Sequence, residues 1–138
     1  HMYDYEDRRG TAVSSRELGV SEHAVVKTLI MQTEESKPLV ILMHGDRIVS
    51  TKELARIIGV KSVRPCDPNV VTKHSGYVVG GTSPFGTRKE MPVYIERSIL
   101  DLTKVYINGG ARGFLVCVPP SVFVETLNAI PVGVATVT

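Results

Sequence analysis

Apolar residues in this chain gather into short runs, and polar or glycine-containing turns separate them. The run over 25–31 (VVKTLIM) carries a single charge, Lys27, and the run over 39–43 (LVILM) carries none. Between them TEESKP is a polar turn, so the two runs predict a hairpin. Further strand-like stretches fall at 3–6, 60–64, 93–95, 104–107, 114–118 and 132–137. Helical spacing appears at 11–18, with Thr11 as the cap and Gly19 at the left-handed end, and Ser21 offers a cap for one more turn. A second helix over 51–58 is capped by Ser50 or Thr51 and closed by Gly59. In a third, Asp67 caps, Pro68 takes the first position and Gly76 follows the end near residue 74. Ser98 suits the start of a single turn, and 121–129 reads as a closing amphipathic helix after Pro119 and Pro120. Strands and helices do not alternate regularly. The pattern predicts an α+β fold: one domain, a mixed, mostly antiparallel sheet of about seven strands, and short helices packed around it.

The stretch 76–92 (GYVVGGTSPFGTRKEMP) does not continue either period. Gly80, Gly81 and Gly86 allow positive φ or a close approach of a ligand to the backbone, which a Cβ would forbid. Pro84 stiffens the loop, Phe85 can anchor it in the core, and Arg88 and Lys89 place two positive charges just beyond it. Such a concavity suits a carbonyl, a phosphate or a ribose. A tight connection between strands with a solvated Arg–Lys pair would leave the same pattern. A second glycine-rich segment, 108–113 (NGGARG), reads as a hairpin-type turn. Lys27 has apolar neighbours on both sides in the chain, so its ammonium is expected to be partly desolvated. That lowers a lysine pKa and adapts it to proton transfer or to orienting a carbonyl. The other reading is an edge-strand lysine that blocks aggregation.

Composition narrows the classes further. At 138 residues and 15.1 kDa, the chain can bury roughly two-thirds of its unfolded surface as one domain. A net charge of +2 and a pI of about 8.6 leave room only for a local basic patch toward a nucleic acid. Cys66 and Cys117 form no ligand pair and are expected to be reduced and buried, as in a cytoplasmic protein. No apolar run reaches the ~18 residues of a membrane helix. His1 and Met2 resemble the remnant of an expression tag, which places the domain at 3–138. The glycine loop is neither a nucleophile elbow nor a Walker A loop, and His23, His44 and His74 show no metal spacing. No cofactor and no metal are expected.

Three segments in order, VVKTLIM, GYVVGGTSPFG and YINGGARG, resemble the YbaK/ProX/EbsC family of trans-editing aminoacyl-tRNA deacylases. These are similar to the editing domain inserted in bacterial prolyl-tRNA synthetases. The likeness extends over most of the chain and includes 18–20 (LGV) and 57–63 (IIGVKSV). It implies a YbaK-like fold and hydrolysis of mischarged tRNA of the Cys-tRNA(Pro) or Ala-tRNA(Pro) type, without a metal or a protein nucleophile. Lys27 falls on the lysine that the family's reaction requires. Gly80, Gly81, Thr82, Ser83 and Pro84 fit its GxxxP element, which binds around the scissile ester, with Gly86 closing the loop. Asn108, Gly109 and Gly110 match the glycine turn lining the same pocket, and a Cβ at Gly80 or Gly81 is expected to crowd the ester's approach. Arg88, Lys89 and Arg112 are the candidates for docking the tRNA acceptor end. Where many members read VID, residues 93–96 read VYIE. Prolyl-tRNA synthetase is a possible partner, and no membrane is implied. A non-catalytic tRNA- or synthetase-binding module, or a small-molecule acyl hydrolase, would also suit the fold.

Overall fold

The computed structural model describes residues 1–4 and 10–137. Its centre is the predicted hairpin, β1 (Val25–Thr33) against β2 (Pro38–His44), antiparallel from Val26↔His44 to Gln32↔Pro38. These strands are apolar on both faces because both faces are covered, the usual reason for an unalternating strand. On one face Val26, Ile30, Val40 and Leu42 pack with Ile95, Phe123 and Val71; on the other Met31, Leu39, Ile41 and Met43 pack with Leu54 and Ala55.

The strands on either side are β4 (Val63–Pro65), β5 (Val93–Glu96), β6 (Val105–Ala111), β7 (Phe114–Val118) and β8 (Ile130–Val132). With β1 and β2 they form a seven-stranded sheet in the order β7-β6-β1-β2-β5-β8, and β4 pairs with β1 beside this path. β1–β2, β1–β4 and β6–β7 are antiparallel, while β1–β6, β2–β5 and β5–β8 are parallel. A separate two-stranded sheet joins β3 (Ile48–Val49) to β9 (Ala135–Thr136). The α+β reading with a mixed sheet therefore holds. The tail expected as a single strand divides into β8 and β9.

Four α-helices surround the sheet: α1 (Gly10–Leu18), α2 (Thr51–Ile58), α3 (Pro68–Ser75) and α4 (Ser121–Leu127). α2 starts at Ser50, whose hydroxyl accepts from the Glu53 N–H, and ends at Gly59 with φ 78°. α3 has Asp67 at its cap position, without a side-chain bond there, and Gly76 at its left-handed end. Two predicted caps are displaced. Thr11 lies inside α1, where its hydroxyl donates to Glu22 Oε2 at 2.7 Å. The turn over Arg97–Asp101 is capped by Glu96 rather than Ser98, because the Glu96 carboxylate reaches the Ser98 N–H.

At the other end of the chain's path, His1 and Met2 do more than precede the domain. The His1 backbone exchanges hydrogen bonds with Leu115, and Met2 bridges Phe114. Of the strand expected at 3–6, Tyr3 donates its N–H to Gly113 while residues 5 and 6 lie outside the described set. Among the described residues no helix is long and apolar enough to cross a membrane.

Candidate functional site

β1 has continuous company on only one of its edges. Along β2 it is paired throughout, but on the opposite edge β6 covers Val25 and Val26 and β4 covers Met31 to Thr33. Between them the sheet opens at Lys27, Thr28 and Leu29. A cavity of about 890 Å³ occupies this opening, bordered by Lys27, Thr28, Gly80, Thr82, Asn108 and Arg112, with Glu22 and Thr11 on one side and Cys66 and Val71 on the other. Lys27, the glycine loop and the turn near Asn108 are separated by dozens of residues in the chain; the fold brings them to one space.

Lys27 is half-buried, and burial pulls its ammonium below its ordinary pKa while the charges of Glu22 and Asp46 act against that shift. Glu22 is fixed by Thr11, whose hydroxyl also lies 3.0 Å from the Gly45 carbonyl. Asp46 is held by His23 Nδ1 at 2.8 Å and by Arg47 Nη1 at 3.0 Å. Burial alone would raise the Asp46 pKa, but the His23 hydrogen bond and the charges of His23 and Arg47 outweigh it, so the carboxyl stays below its usual range. The lysine therefore sits in a pocket with two carboxylates near enough to favour its cationic form. It is half-buried at the edge of β1 that β4 and β6 leave open.

The glycine loop is irregular from Gly76 to the start of β5, so Tyr77 and the β-branched Val78 and Val79 form no strand. Tyr77 organises it. Its hydroxyl donates to the Phe85 carbonyl at 2.6 Å, and Phe85 in turn packs on the core and stacks on Phe123, with ring centroids 5.9 Å apart. Gly80 takes φ 88°, a left-handed conformation that favours glycine. Gly81 has a different reason. A Cβ there would lie 2.8 Å from Arg112 N and 3.0 Å from Ala111 C, so the loop and the β6–β7 connection meet backbone to backbone. The expected crowding of an incoming ester at this position becomes a clash inside the protein.

The two glycine-rich segments are also stitched together by side chains. Asn108 Nδ2 donates to the Gly80 carbonyl at 3.3 Å and to the Ala111 carbonyl at 2.9 Å, and Arg112 Nε donates to the Val79 carbonyl at 2.9 Å. The segment 108–113 is not all turn. β6 continues through Ala111 with a bulge after Asn108, leaving Arg112 and Gly113 as the turn. Gly109 and Gly110 do not border the cavity: a Cβ on Gly109 would meet the Phe114 ring at 2.5 Å, and one on Gly110 would meet Tyr77 Cε1 at 3.0 Å. Of the predicted loop positions, Gly80 and Thr82 border the cavity, whereas Gly81, Ser83, Pro84 and Gly86 do not.

Arg88 and Lys89 are exposed and stand away from the cavity, their backbone N–H groups donating to the Ser75 and His74 carbonyls at the end of α3. Burial and, after it, the charges of Lys89 and Lys73 depress the His74 pKa. Cys66 is buried at the cavity wall, where burial pushes its thiol pKa up, but Cys117 is exposed because β7 turns it outward. The expectation of two buried cysteines is corrected on that point.

Sequence spacing missed a second polar group behind the lysine. His23, His44 and Asp46 bring ligand-type atoms within 4.8 Å of one another. Yet the two imidazoles stack in nearly parallel planes, 3.7 Å apart at 9°, so their in-plane lone pairs do not converge on one point. His44 Nδ1 lies 2.7 Å from the His23 carbonyl and Nε2 2.8 Å from Ser98 Oγ, and Ser98 donates to Glu96 Oε2 at 2.7 Å. The other Glu96 oxygen accepts the Val134 and Ala135 N–H groups at 2.8 and 2.9 Å. As built, this is a hydrogen-bonded relay from β2 to the C-terminal segment. Its residues come from four elements, and none carries a local signal.

Comparison with known proteins gives one consistent picture. The model of the family described as "Aminoacyl-tRNA editing domain" matches residues 6–125. "Putative Cys-tRNA(Pro)/Cys-tRNA(Cys) deacylase EbsC" of Enterococcus faecalis is 25% identical over 123 residues, covering 89% of this chain and 75% of that protein. The proline–tRNA ligase of Brachyspira hyodysenteriae is 25% identical over 84 residues, 61% of this chain but only 14% of the ligase. The crystal structure described as "a putative trans-editing enzyme for prolyl tRNA synthetase" superposes with a TM-score of 0.88 at 20% identity, covering 99% of this chain and 85% of that one. At that identity the likeness speaks for the fold.

Proposed function

Because the chain belongs to the aminoacyl-tRNA editing domain family, we propose that it hydrolyses the ester of mischarged tRNA in trans, with cysteinyl- or alanyl-tRNA(Pro) as substrate and the cysteinyl ester first. The observation that carries this reading is the convergence of Lys27, the glycine loop and Asn108 on one cavity at the open edge of β1. An aminoacyl ester is intrinsically labile, so the site has mainly to hold it and stabilise the oxyanion that forms at its carbonyl. The Lys27 ammonium, whose charge Glu22 and Asp46 favour against burial, is the charged donor. The loop backbone is the second source. Gly81 N–H is spent on the Val78 carbonyl and Phe85 N–H on Ser83 Oγ, so the N–H of Thr82, which borders the cavity, is the group assigned to the oxyanion. One such donor contributes about 3 kcal/mol, or roughly a hundredfold in rate. The nucleophile is a water, a ribose hydroxyl or the substrate's own side chain.

The acceptor end enters past Arg112, and the exposed Arg88 and Lys89 meet phosphates further along the tRNA. Prolyl-tRNA synthetase is the partner that this substrate implies. Deacylation of a panel of charged tRNAs tests the reading, with a small aminoacyl ester alongside. Release of cysteine or alanine from tRNA(Pro) much faster than from the small ester is expected. Binding of charged tRNA without release would leave a binding module instead, and equal turnover of the small ester would leave a general acyl hydrolase. Phenylalanyl-tRNA hydrolysed as fast as cysteinyl-tRNA would contradict a small side-chain pocket.

A further inference from the structure

The cavity has a second charged group that the ester carbonyl does not use. Among the described residues Glu22 is the one acidic side chain on its border, and of the carboxylates whose charge reaches Lys27 it acts most strongly. Its carboxylate is held at one end only. Oε2 takes the Thr11 hydroxyl at 2.7 Å, while Oε1 takes no hydrogen bond from any described residue and is not closed off from solvent. The backbone there is fixed too: a Cβ on Gly45 would lie 2.7 Å from Thr11 Oγ1 and 2.8 Å from the Glu22 carbonyl oxygen, so three segments meet tightly. Thr11 and Gly45 border the cavity beside Glu22. Asp46 differs on each count, since His23 and Arg47 occupy its two oxygens and it does not border the cavity.

Lys27 and Glu22 face one cavity, yet among the described residues no ion pair joins them. Held apart, they leave a space that is positive at one point and negative at another. An aminoacyl ester has the matching polarity. Its carbonyl oxygen gains negative charge in the reaction, and the carbon next to that carbonyl carries an amino group that is protonated near neutral pH. Placing this second ammonium close to Lys27 in a half-enclosed space is costly unless an anion stands beside it. We propose that Glu22 binds the α-ammonium of the aminoacyl group, so that the site requires a free amino group and rejects esters whose nitrogen is acylated or replaced by a hydroxyl. The proposal rests on the deacylase reading for the identity of the ligand. Thr11 is then a positioning residue, holding one carboxylate oxygen while the other receives the ammonium.

The test compares wild type, Glu22→Gln and Thr11→Val on alanyl-, N-acetylalanyl- and lactyl-tRNA(Pro). Binding of the non-hydrolysable alanyl- and lactyl-amide analogues of 3′-amino-adenosine is measured alongside. Glutamine keeps the length of the side chain and an oxygen for Thr11, so its melting temperature should stay close to that of wild type. Wild type should bind the alanyl analogue about 10–100-fold more tightly than the lactyl one, the range for one hydrogen bond between charged groups. In Glu22→Gln the alanyl-to-lactyl and alanyl-to-N-acetylalanyl ratios of kcat/KM should fall about tenfold or more, through slower turnover of the alanyl ester. The esters differ in intrinsic lability, but that difference cancels when variant and wild type are compared. Thr11→Val should lower the same ratios by a smaller factor. Equal loss on all three esters in Glu22→Gln would overturn the proposal and leave Glu22 a support for the Lys27 charge. Unchanged ratios, or a wild type that binds the two analogues equally, would overturn it as well. If wild type hydrolyses none of the esters the deacylase reading fails, and the analogue affinities alone then decide the role of Glu22.

Discussion

Two groups of polar side chains flank the end of the central hairpin, and they are built in opposite ways. In the relay of His44, Ser98 and Glu96, each side-chain polar atom lies within hydrogen-bond distance of another polar atom, and the Glu96 carboxylate alone takes two N–H groups on one oxygen and an N–H and a hydroxyl on the other. At the cavity, burial lowers the Lys27 pKa and only the carboxylates of Glu22 and Asp46, at a distance, act against it, and the Thr28 hydroxyl beside it meets nothing. A satisfied network fixes elements relative to one another; here it ties β2, β5 and the segment leading to β9. Unsatisfied groups cost stability and persist where something else is to satisfy them. The difference separates a network that holds the fold from the lysine that the proposed function assigns to a ligand.

The comparison is broken most forcefully from the satisfied side. Glu96→Ala strands several buried donors at once and should cost about 3 kcal/mol or more, read as a large drop in denaturant midpoint, with the remaining folded fraction still active. The same carboxyl gives a pH signature. Burial would raise its pKa, but the hydrogen bonds from Ser98, Val134 and Ala135 outweigh that and hold it below the model-peptide value of 4.5. Its contribution is therefore complete above about pH 4.5 and is lost as pH falls through the lower folded-state value. Glu96→Gln should flatten that acid limb of the stability curve. His44 adds a second slope at higher pH. Burial depresses its pKa from 6.5, so the unfolded chain takes up the proton first and stability declines as pH drops below about 6.5. Stability that does not decline below about pH 6.5 would contradict the His44 assignment, and an acid limb left unchanged by Glu96→Gln would contradict the Glu96 one.

Gly81→Ala should come next. The added methyl meets main-chain atoms of Ala111 and Arg112, so activity and thermal stability should fall together, by about 1–3 kcal/mol in stability. Loss of activity alone would move Gly81 back to the ligand's side of the comparison. Smallest is the basic pair. Replacing Arg88 and Lys89 together by Gln should raise KM for charged tRNA several-fold and flatten its salt dependence by about one unit of log–log slope per phosphate lost. A substrate ending at the terminal adenosine should hardly notice. Equal effects on both substrates would assign the pair to folding or to the site itself.

What the residues disclosed in advance was mostly local. Ser50, Gly59 and Gly76 mark helix ends through contacts only a few residues long, and the β1–β2 hairpin follows from two apolar runs with a polar turn between them. Lys27 was visible because one charge interrupts an apolar run. The opening beside it was not, since it depends on where β6 stops and β4 begins, 30 to 80 residues away. The same holds for the glycines. Their need for a missing Cβ was legible, but at Gly81 and Gly109 the atoms that demand it belong to the neighbouring turn and to Phe114 rather than to a substrate. The relay of His23, His44, Ser98 and Glu96 has no spacing to read, because strand pairing alone assembles it.

The account stands on Lys27 acting from within the cavity. Single-turnover deacylation of cysteinyl-tRNA(Pro) by Lys27→Ala, with a thermal melt of the same preparation, tests this most directly. The prediction is a loss of about a hundredfold or more in rate, with a melting temperature close to that of wild type, since the ammonium is half-buried and contributes little to the core. A folded variant that releases cysteine at nearly the wild-type rate would contradict it.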